Sequence, residues 1–145
     1  MTDGGRLLAV DWGERRIGLA LSDESQTLAQ PLTTLTRRAG KRFPMRQLLA
    51  LLEEHAVGGV IVGLPLTPDG SEGTAASQAR ALAQDIGRRS GRPVELWDER
   101  MTTARALGTV REMGGTTRGR KDDVDALAAA LLLQHYLDAR RGGAT

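Results

Sequence analysis

Three places in this sequence carry carboxylates that could share one site. Asp11 ends the first apolar run, Asp98 and Glu99 end the segment "PVELWDE", and Asp125 lies in the last predicted helix. Carboxylate oxygens are the ligands that hard cations such as Mg²⁺ or Mn²⁺ prefer, and Mg²⁺ is typically shared with substrate phosphates. Two such ions about 4 Å apart activate a water and stabilise the leaving oxygen in phosphodiester cleavage. Convergence of these acids would therefore indicate a metal-dependent nuclease.

The acids at the strand ends also have simpler explanations. An aspartate after a strand can serve only the turn, because its side chain bonds to nearby backbone and tolerates tight bends. The ends of strands are equally where open α/β sheets hold ligand-contacting groups, so both interpretations stay open for Asp11. Successive side chains of a strand point to opposite faces. Asp98 and Glu99 therefore cannot both face one site, and one of them can simply be solvated.

Asp125 needs an explanation because it lies in an apolar stripe. On a helix of 3.6 residues per turn it shares a face with Ala128, Ala129 and Leu132. A buried carboxylate without a partner is strongly destabilising. One explanation is capping: if Asp122 is the N-cap, Asp125 lies in the first turn, where the helix dipole favours an acid. A bound metal ion is the other.

Basic residues gather in three predicted loops, and the longest cluster contains no acid. Such clusters suit a phosphate backbone, because a polyanion is held by charge rather than by contacts that read its sequence. The alternative for each cluster is a solvated surface. The clusters are Arg15 and Arg16 in the opening hairpin; Arg37, Arg38, Lys41, Arg42 and Arg46; and Arg118, Arg120 and Lys121.

The elements that would position these residues follow from the apolar pattern. Short apolar runs predict strands, and leucines or alanines at helical spacing predict helices. Pro31 marks an edge or a bulge in its strand. Strands followed by helices predict an α/β domain with a mixed sheet. The predicted order is a hairpin over residues 7–21, a strand over 27–36, a helix over 43–56, a strand over 58–65, a helix over 74–90 closed by Gly91, a strand over 93–100, a helix over 101–114 and a last helix over 122–140.

Composition excludes several classes of function. The chain of 145 residues has no cysteine, which excludes disulfides, a thiolate nucleophile and a cysteine-based zinc site. His55 and His135 are far apart, so no histidine-rich metal site is expected. Aromatic residues make up only 3%, so stacking of bases on aromatic side chains is not expected to dominate. No apolar stretch is long enough to span a bilayer and the N-terminus lacks a signal-peptide pattern, so we expect a cytoplasmic protein with no membrane partner.

Four segments of the chain resemble, in order, the signature segments of the YqgF family, also called RuvX, of ribonuclease H-like nucleases. They are "AVDWGERRIGLALSD", "VIVGLPLTPDGSEG", "LWDERMTT" and "VDALAAALLLQHYL", and the match spans residues 6–138. The resemblance implies a ribonuclease H-like fold related to the RuvC Holliday junction resolvase. It also implies the family's role as a nuclease that matures the 5′ end of pre-16S ribosomal RNA.

The resemblance also implies a site. Asp11, Glu99 and Asp125 match the family's acids and would hold the Mg²⁺ or Mn²⁺ ions; Asp98 and Asp122 are the positions to which this assignment could slip. Arg100, beside one of these acids, is left open between a substrate contact and a surface residue. The expected architecture is a single domain over residues 1–145, with a mixed sheet of about five strands flanked by helices and disordered termini outside residues 6–138.

Other functions stay open beside this one. Holliday junction DNA is the second substrate class; a symmetric four-way junction calls for paired active sites, but the sequence does not decide between a monomer and a homodimer. A non-catalytic RNA-binding or transcription-associated module is a third hypothesis, and the intact acids count against it. The segment "VDWGERRIG" also resembles the phosphate hairpin of actin-like ATPases, which need two such domains, and this chain is too short for two.

Overall fold

A computed structural model describes residues 5–12, 16–36, 43–65, 69, 73–98 and 121–143. The last of these segments is described with its side chains from residue 124 to 141. The elements, in chain order, are β1 (Arg6–Asp11), β2 (Arg16–Ser22), β3 (Ala29–Thr36), α1 (Met45–Glu54), β4 (Val57–Leu64), α2 (Thr74–Ser90), β5 (Val94–Asp98) and α3 (Lys121–Gly143). Each lies where the apolar pattern predicts it, and the helix predicted over residues 101–114 lies outside the described residues.

The strands form one mixed sheet of five strands in the order β3-β2-β1-β4-β5. β1 pairs with β2, and β2 with β3, in antiparallel fashion. β1 pairs with β4, and β4 with β5, in parallel fashion. The carboxyl ends of β1, β4 and β5 therefore meet at one edge of the sheet, which places Asp11 and Asp98 at the same edge. The predicted α/β class with a mixed sheet is confirmed.

The two faces of the sheet pack against different helices. In β1, Leu8 and Val10 belong to the core beneath α1 and α2, whereas Leu7 and Ala9 belong to the core beneath α3. This is the alternation expected of a strand buried on both faces. Where the pairing is regular, as in β1, period-2 counting therefore assigns each residue to the α1/α2 face or to the α3 face.

Pro31 lies both in an edge strand and at a bulge, the two alternatives that the sequence predicted for it. Its strand, β3, is at the edge of the sheet. The pairing of β2 with β3 also shifts register here, since Leu19 lies opposite Thr33 while Ala20 lies opposite Pro31. An edge or a bulge tolerates proline because no ladder hydrogen bond is needed from its nitrogen.

Helix boundaries mostly follow the local signals. α1 has Pro44 at its N-cap, and Leu48 and Leu52 are buried one turn apart. α2 ends at Gly91, whose φ of 71° is left-handed and favours glycine. No helix among the described residues combines the length and apolar character needed to cross a membrane.

The start of α3 differs from the capping hypothesis for Asp125. The helix begins at Lys121 rather than after Asp122, so Asp122 lies inside its first turn and is not the N-cap. It also continues to Gly143, past the predicted end at Arg140. Another partner must therefore account for the carboxylate of Asp125.

Candidate active site

Asp11 is the last residue of β1 and lies on the α3 face of the sheet. By strand alternation its side chain lies on the same face as those of Leu7 and Ala9, which are buried beneath α3. Its partner in the antiparallel pair is Gly18 of β2. Directly opposed residues in such a pair have Cα atoms about 4.5–5.5 Å apart and share a face. Asp11 and Gly18 therefore mark the same corner of the sheet.

Gly18 is the point where α3 lies directly on the sheet. A Cβ atom built on Gly18 would be 2.0 Å from the backbone carbonyl oxygen of Asp125. No side chain fits in that space, so only glycine allows the first part of α3 to approach β2 this closely. Because Gly18 is also the partner of Asp11, this contact brings Asp125 to the corner that holds Asp11. Two of the three candidate acids thus share one face and one edge.

Arg16 supplies the partner that the carboxylate of Asp125 requires. Its Nε donates to Oδ2 of Asp125 at 2.5 Å, a contact between residues 109 positions apart in sequence. The side chains are 39% and 27% exposed respectively, so the pair is accessible to solvent. Arg16 and Gly18 are two residues apart in β2 and share the α3 face. The positive group therefore lies on the same face as both acids.

Asp98 lies on the other face of the sheet. In β5, Val94 and Leu96 pack on the core beneath α1 and α2, and Asp98 continues that alternation. It is paired with Leu64 of β4, which belongs to the same core. Strand geometry therefore separates Asp98 from the face of Asp11 and Asp125.

Trp97 occupies the α3 face of β5 and is held by α3. Its Nε1 donates to Nδ1 of His135 at 3.2 Å, and its ring meets that of Tyr136 edge to face. Burial and the hydrogen bond from Tyr136 to Glu95 raise the pKa of the Tyr136 hydroxyl. His135 thus has a structural partner, and His55 caps the end of α1 beside Glu54.

A buried amide fixes the second half of α3. Gln134 is fully buried, and its Oε1 accepts from the backbone amide of Ala29 at 2.8 Å. Its Nε2 donates to the backbone oxygen of Thr27 at 3.1 Å and to Asp138 at 3.0 Å. Since both ends of the amide are satisfied, this side chain ties α3 to β3 and to the turn before it. The direction of α3 across the sheet, and with it the position of Asp125, is set here as well.

Most of the remaining predicted site residues lie outside the described part of the chain. Lys121 and Asp122 are in α3, without described side chains. Among residues whose side chains are described, no group of three or more histidine, cysteine, aspartate or glutamate side chains is placed to hold a metal ion. Outside the described residues are Arg15, Arg37, Arg38, Lys41, Arg42, Glu99, Arg100, Arg118 and Arg120.

One cavity formed by described residues lies away from the corner that holds Asp11 and Asp125. A cavity of about 750 Å³ lies between α1 and α2, on the face opposite Asp125, and is lined by residues that include Phe43, Met45 and Leu82. Asp11 and Asp125 lie instead at the edge of the sheet where β1 ends, on the face that α3 covers.

Comparison with known proteins assigns the chain to a family. Residues 5–139 match the model of a family described as "RuvX: Holliday junction resolvase". A relative from Anaeromyxobacter sp. (strain Fw109-5), 45% identical over 93% of this chain and 98% of its own length, is named "Putative pre-16S rRNA nuclease". The chain belongs to the RuvX family. A second relative of that name, from Paramagnetospirillum magneticum, is 40% identical over 94% of this chain and 88% of its own length.

Solved structures agree on the fold. Thermus thermophilus RuvC in complex with a Holliday junction substrate superposes with a TM-score of 0.62, covering 94% of this RuvX-family chain and 96% of that chain at 19% identity. A second Thermus thermophilus RuvC structure gives 0.61 over the same shares of both chains. The predicted ribonuclease H-like fold is therefore confirmed.

Sequence reasoning missed two features of this site. The close contact at Gly18 had a local signal, since Gly18 and Ala20 are small residues on one strand face and α3 carries alanines at 126, 128, 129 and 130. The ion pair between Arg16 and Asp125 had none, because nothing local relates residues so far apart. The sequence offered a cap or a metal ion for Asp125, and the structure adds a guanidinium.

Proposed function

We propose that this chain is a metal-dependent endonuclease that hydrolyses phosphodiester bonds in structured RNA, with the 5′ end of pre-16S ribosomal RNA as its target. The observation that carries the proposal is the convergence of Asp11 and Asp125 at one corner of the sheet, enforced by the contact at Gly18. Carboxylates brought together at the carboxyl end of parallel strands lie where open α/β sheets bind their ligands. The names of the RuvX relatives supply the substrate.

Glu99 is the acid that we propose as the third member. The alternation of β5, which ends at Asp98, puts Asp98 on the α1/α2 face, away from Asp11 and Asp125. The exclusion of Asp98 supports Glu99, the residue that the family motif also indicates. The proposal would be wrong if Asp98 carried the activity.

The donor set at this corner fits a hard divalent cation. Asp11 and Asp125 provide carboxylate oxygens, and Mg²⁺ and Mn²⁺ prefer such ligands to the nitrogen and sulfur ligands that this site lacks. Asp11, Asp125 and Glu99 would hold the metal, and a bound pair of ions would activate a water and stabilise the leaving oxygen. Each carboxylate also contributes fixed negative charge, which Arg16 offsets in part.

Positive side chains would hold the substrate. We propose that Arg16 binds a phosphate close to the cut, because its guanidinium lies on the face of the acids and is well suited to phosphate oxygens. The clusters over residues 37–46 and 118–121 would extend the contact along the nucleic-acid backbone. Such contacts release counterions, so binding should weaken steeply with salt.

Holliday junction DNA is the second candidate substrate, favoured by the description of the matching family model. A symmetric junction would require two sites in a paired arrangement. A non-catalytic binding module is the remaining alternative, and it predicts binding without cutting. One experiment separates all three.

The test is cleavage of end-labelled precursor 16S RNA and of a labelled four-way DNA junction, with Mg²⁺, with Mn²⁺ and with chelator. We expect the RNA to be cut only with metal. Asp11→Asn, Asp125→Asn and Glu99→Gln should each lower the rate at least about a hundredfold while binding is retained, because metal-supported chemistry is lost and the basic contacts stay.

Two neutralised acids serve as controls. Asp98→Asn tests the assignment at β5 and should leave cutting within about twofold of wild type. Asp85→Asn removes an equal charge from α2, where Asp85 pairs with Arg88 and Arg89 away from the site. Normal cutting by all three site variants would refute the site, and preferential cutting of the junction would assign the DNA substrate instead.

A further inference from the structure

We propose that Arg16 is an exchange residue: it pairs with Asp125 in the metal-free protein and transfers to a substrate phosphate when a divalent cation takes the carboxylate. This inference rests on the proposed function, since it concerns how the same site couples its metal to its substrate. Arg16 would bind the substrate directly, and its pairing with Asp125 would couple that binding to the binding of the metal.

The single hydrogen bond of the pair leaves donors on Arg16 and an acceptor oxygen on Asp125 that bind no other described residue. Arg16 contacts Asp125 through Nε, and neither of its terminal nitrogens donates to any residue that the structure describes. Oδ1 of Asp125 likewise accepts no hydrogen bond from the described residues. A guanidinium has five donors in a planar fork that fits phosphate, so most of its capacity remains for an oxyanion.

Exposure makes the pair easy to break. Arg16 is 39% exposed, and ion pairs that solvent reaches contribute little to stability because water and salt compete with them. A divalent cation between carboxylates is a far stronger partner for Asp125 than one monodentate guanidinium. The pair is therefore suited to neutralise Asp125 before the metal arrives and to be replaced afterwards.

The structure does not need this pair to hold α3. The backbone contact at Gly18 and the buried amide of Gln134 already fix the helix at separate points. The backbone of Arg16 is fixed by its pairing with Thr36 of β3, so only the side chain has to move. A fixed backbone with a solvent-accessible guanidinium is what Arg16 needs to move between the carboxylate of Asp125 and a nearby phosphate.

Exchange predicts that metal and nucleic acid bind cooperatively. Without metal, Arg16 is engaged by Asp125 and contributes little to RNA affinity. With metal, it is released on the face where the phosphate binds, so the cation raises the affinity for RNA. By linkage, RNA must raise the affinity for the cation by the same factor.

The experiment compares wild type with Arg16→Gln in two binding measurements that do not depend on cutting. Calorimetry gives the affinity for Mn²⁺ without RNA. Fluorescence anisotropy gives the affinity for a labelled RNA that contains the 5′ end of pre-16S ribosomal RNA, in chelator and in Ca²⁺ at matched ionic strength, with a gel to verify that the RNA is intact. We expect Arg16→Gln to bind Mn²⁺ about threefold to tenfold more tightly, because a competitor is removed. We also expect its RNA affinity to fall about tenfold in Ca²⁺ and to change less than twofold in chelator.

Arg88→Gln is the matched control, since it removes the same charge from an exposed ion pair on α2 and should change neither affinity. Arg16→Lys keeps the charge, and its affinities should lie between those of wild type and Arg16→Gln. It also provides the measurement if Arg16→Gln does not fold.

Weaker or unchanged Mn²⁺ binding in the Arg16 variants would overturn the proposal, because it would mean that Arg16 merely holds Asp125 in place. So would a wild type that binds no divalent cation. A wild type that shows the coupling but cuts no RNA would refute the proposed function alone.

Discussion

Two polar side chains of α3, Gln134 in its second half and Asp125 in its first half, face the sheet in different surroundings. In the second half, Gln134 is fully buried and both ends of its amide are hydrogen-bonded. In the first half, Asp125 is partly exposed and is held by a single bond from Arg16, which is more exposed still. Buried polar groups stabilise a fold when they are fully satisfied, whereas groups that must exchange partners need access and unused donors or acceptors. The contrast indicates that the side chain of Gln134 stabilises the fold, whereas the side chain of Asp125 remains accessible to a ligand.

The largest effect should come from filling the contact at Gly18. Gly18→Val places a branched side chain where even a Cβ atom lies 2.0 Å from a backbone oxygen of α3, so the helix must move away from β2. Overpacking against backbone should cost about 3 kcal/mol or more of the free energy of unfolding. Urea denaturation followed by circular dichroism measures it, and the cutting activity should fall with it because Asp125 leaves its corner.

Gly87→Ala is the control for that substitution. Its Cβ would lie 3.5 Å from the side chain of Val94, which is ordinary contact, and Gly87 is inside α2. Alanine in a helix is favoured over glycine, so this variant should be more stable by about 0.5–1 kcal/mol. If Gly18→Val unfolded at the same urea concentration as wild type, the close approach of α3 to β2 would be wrong.

Removal of the buried amide should have the next largest effect. Gln134→Ala leaves the backbone amide of Ala29 without its side-chain acceptor in a buried position. An unsatisfied buried donor costs about 1–3 kcal/mol, so we expect a loss near the middle of that range. Gln84→Ala, at an exposed position of α2, should change the free energy of unfolding by less than about 0.5 kcal/mol.

Measuring both activity and stability separates the roles of Asp125 and Gln134. Asp125→Asn should lose cutting activity with a change in unfolding free energy below about 1 kcal/mol, because it removes only a solvent-accessible ion pair. Gln134→Ala should show the reverse, with lower stability and cutting close to wild type at temperatures where it is folded. Equal effects of the two variants on both measurements would contradict this difference between the side chains of Gln134 and Asp125.

The smallest effect concerns the turn before β3, which Gln134 also contacts. Burial alone would raise the pKa of Asp23, but hydrogen bonds from the amides of Thr27 and Leu28 and from the hydroxyl of Ser25 lower it below its ordinary value. A carboxyl with a lowered pKa in the folded state stabilises the protein above its unfolded pKa, and this contribution is lost as the pH falls through the folded pKa.

Asp23→Asn should therefore reduce the loss of stability between neutral and strongly acidic pH. The measurement is the urea midpoint at pH 7 and at pH 2.5 in both proteins. An identical difference between the two pH values in wild type and variant would mean that these hydrogen bonds do not stabilise the charged form.

Much of this site could be predicted from local patterns. The apolar runs of β1 and β2 put Asp11 at a strand end, because alternation and turn residues are properties of a few consecutive positions. The apolar stripe of α3 identified Asp125 as an acid in need of a partner for the same reason. Alternation also predicted that Asp98 and Glu99 face opposite ways, but it did not predict which face Asp98 takes; Glu99 lies outside the described residues.

Tertiary structure decided the rest. The burial of Val94 and Leu96 beneath α1 and α2 assigns Asp98 to that face, a fact that depends on which side of β5 meets the larger core. The start of α3 at Lys121 removed the capping explanation for Asp125, and Arg16 replaced it from 109 positions away. The sequence by itself determined the elements, the family signature and the candidate acids, because these depend on neighbours along the chain. Two facts follow only from how a distant helix packs on the sheet: which of those acids share a face, and that Arg16 pairs with Asp125.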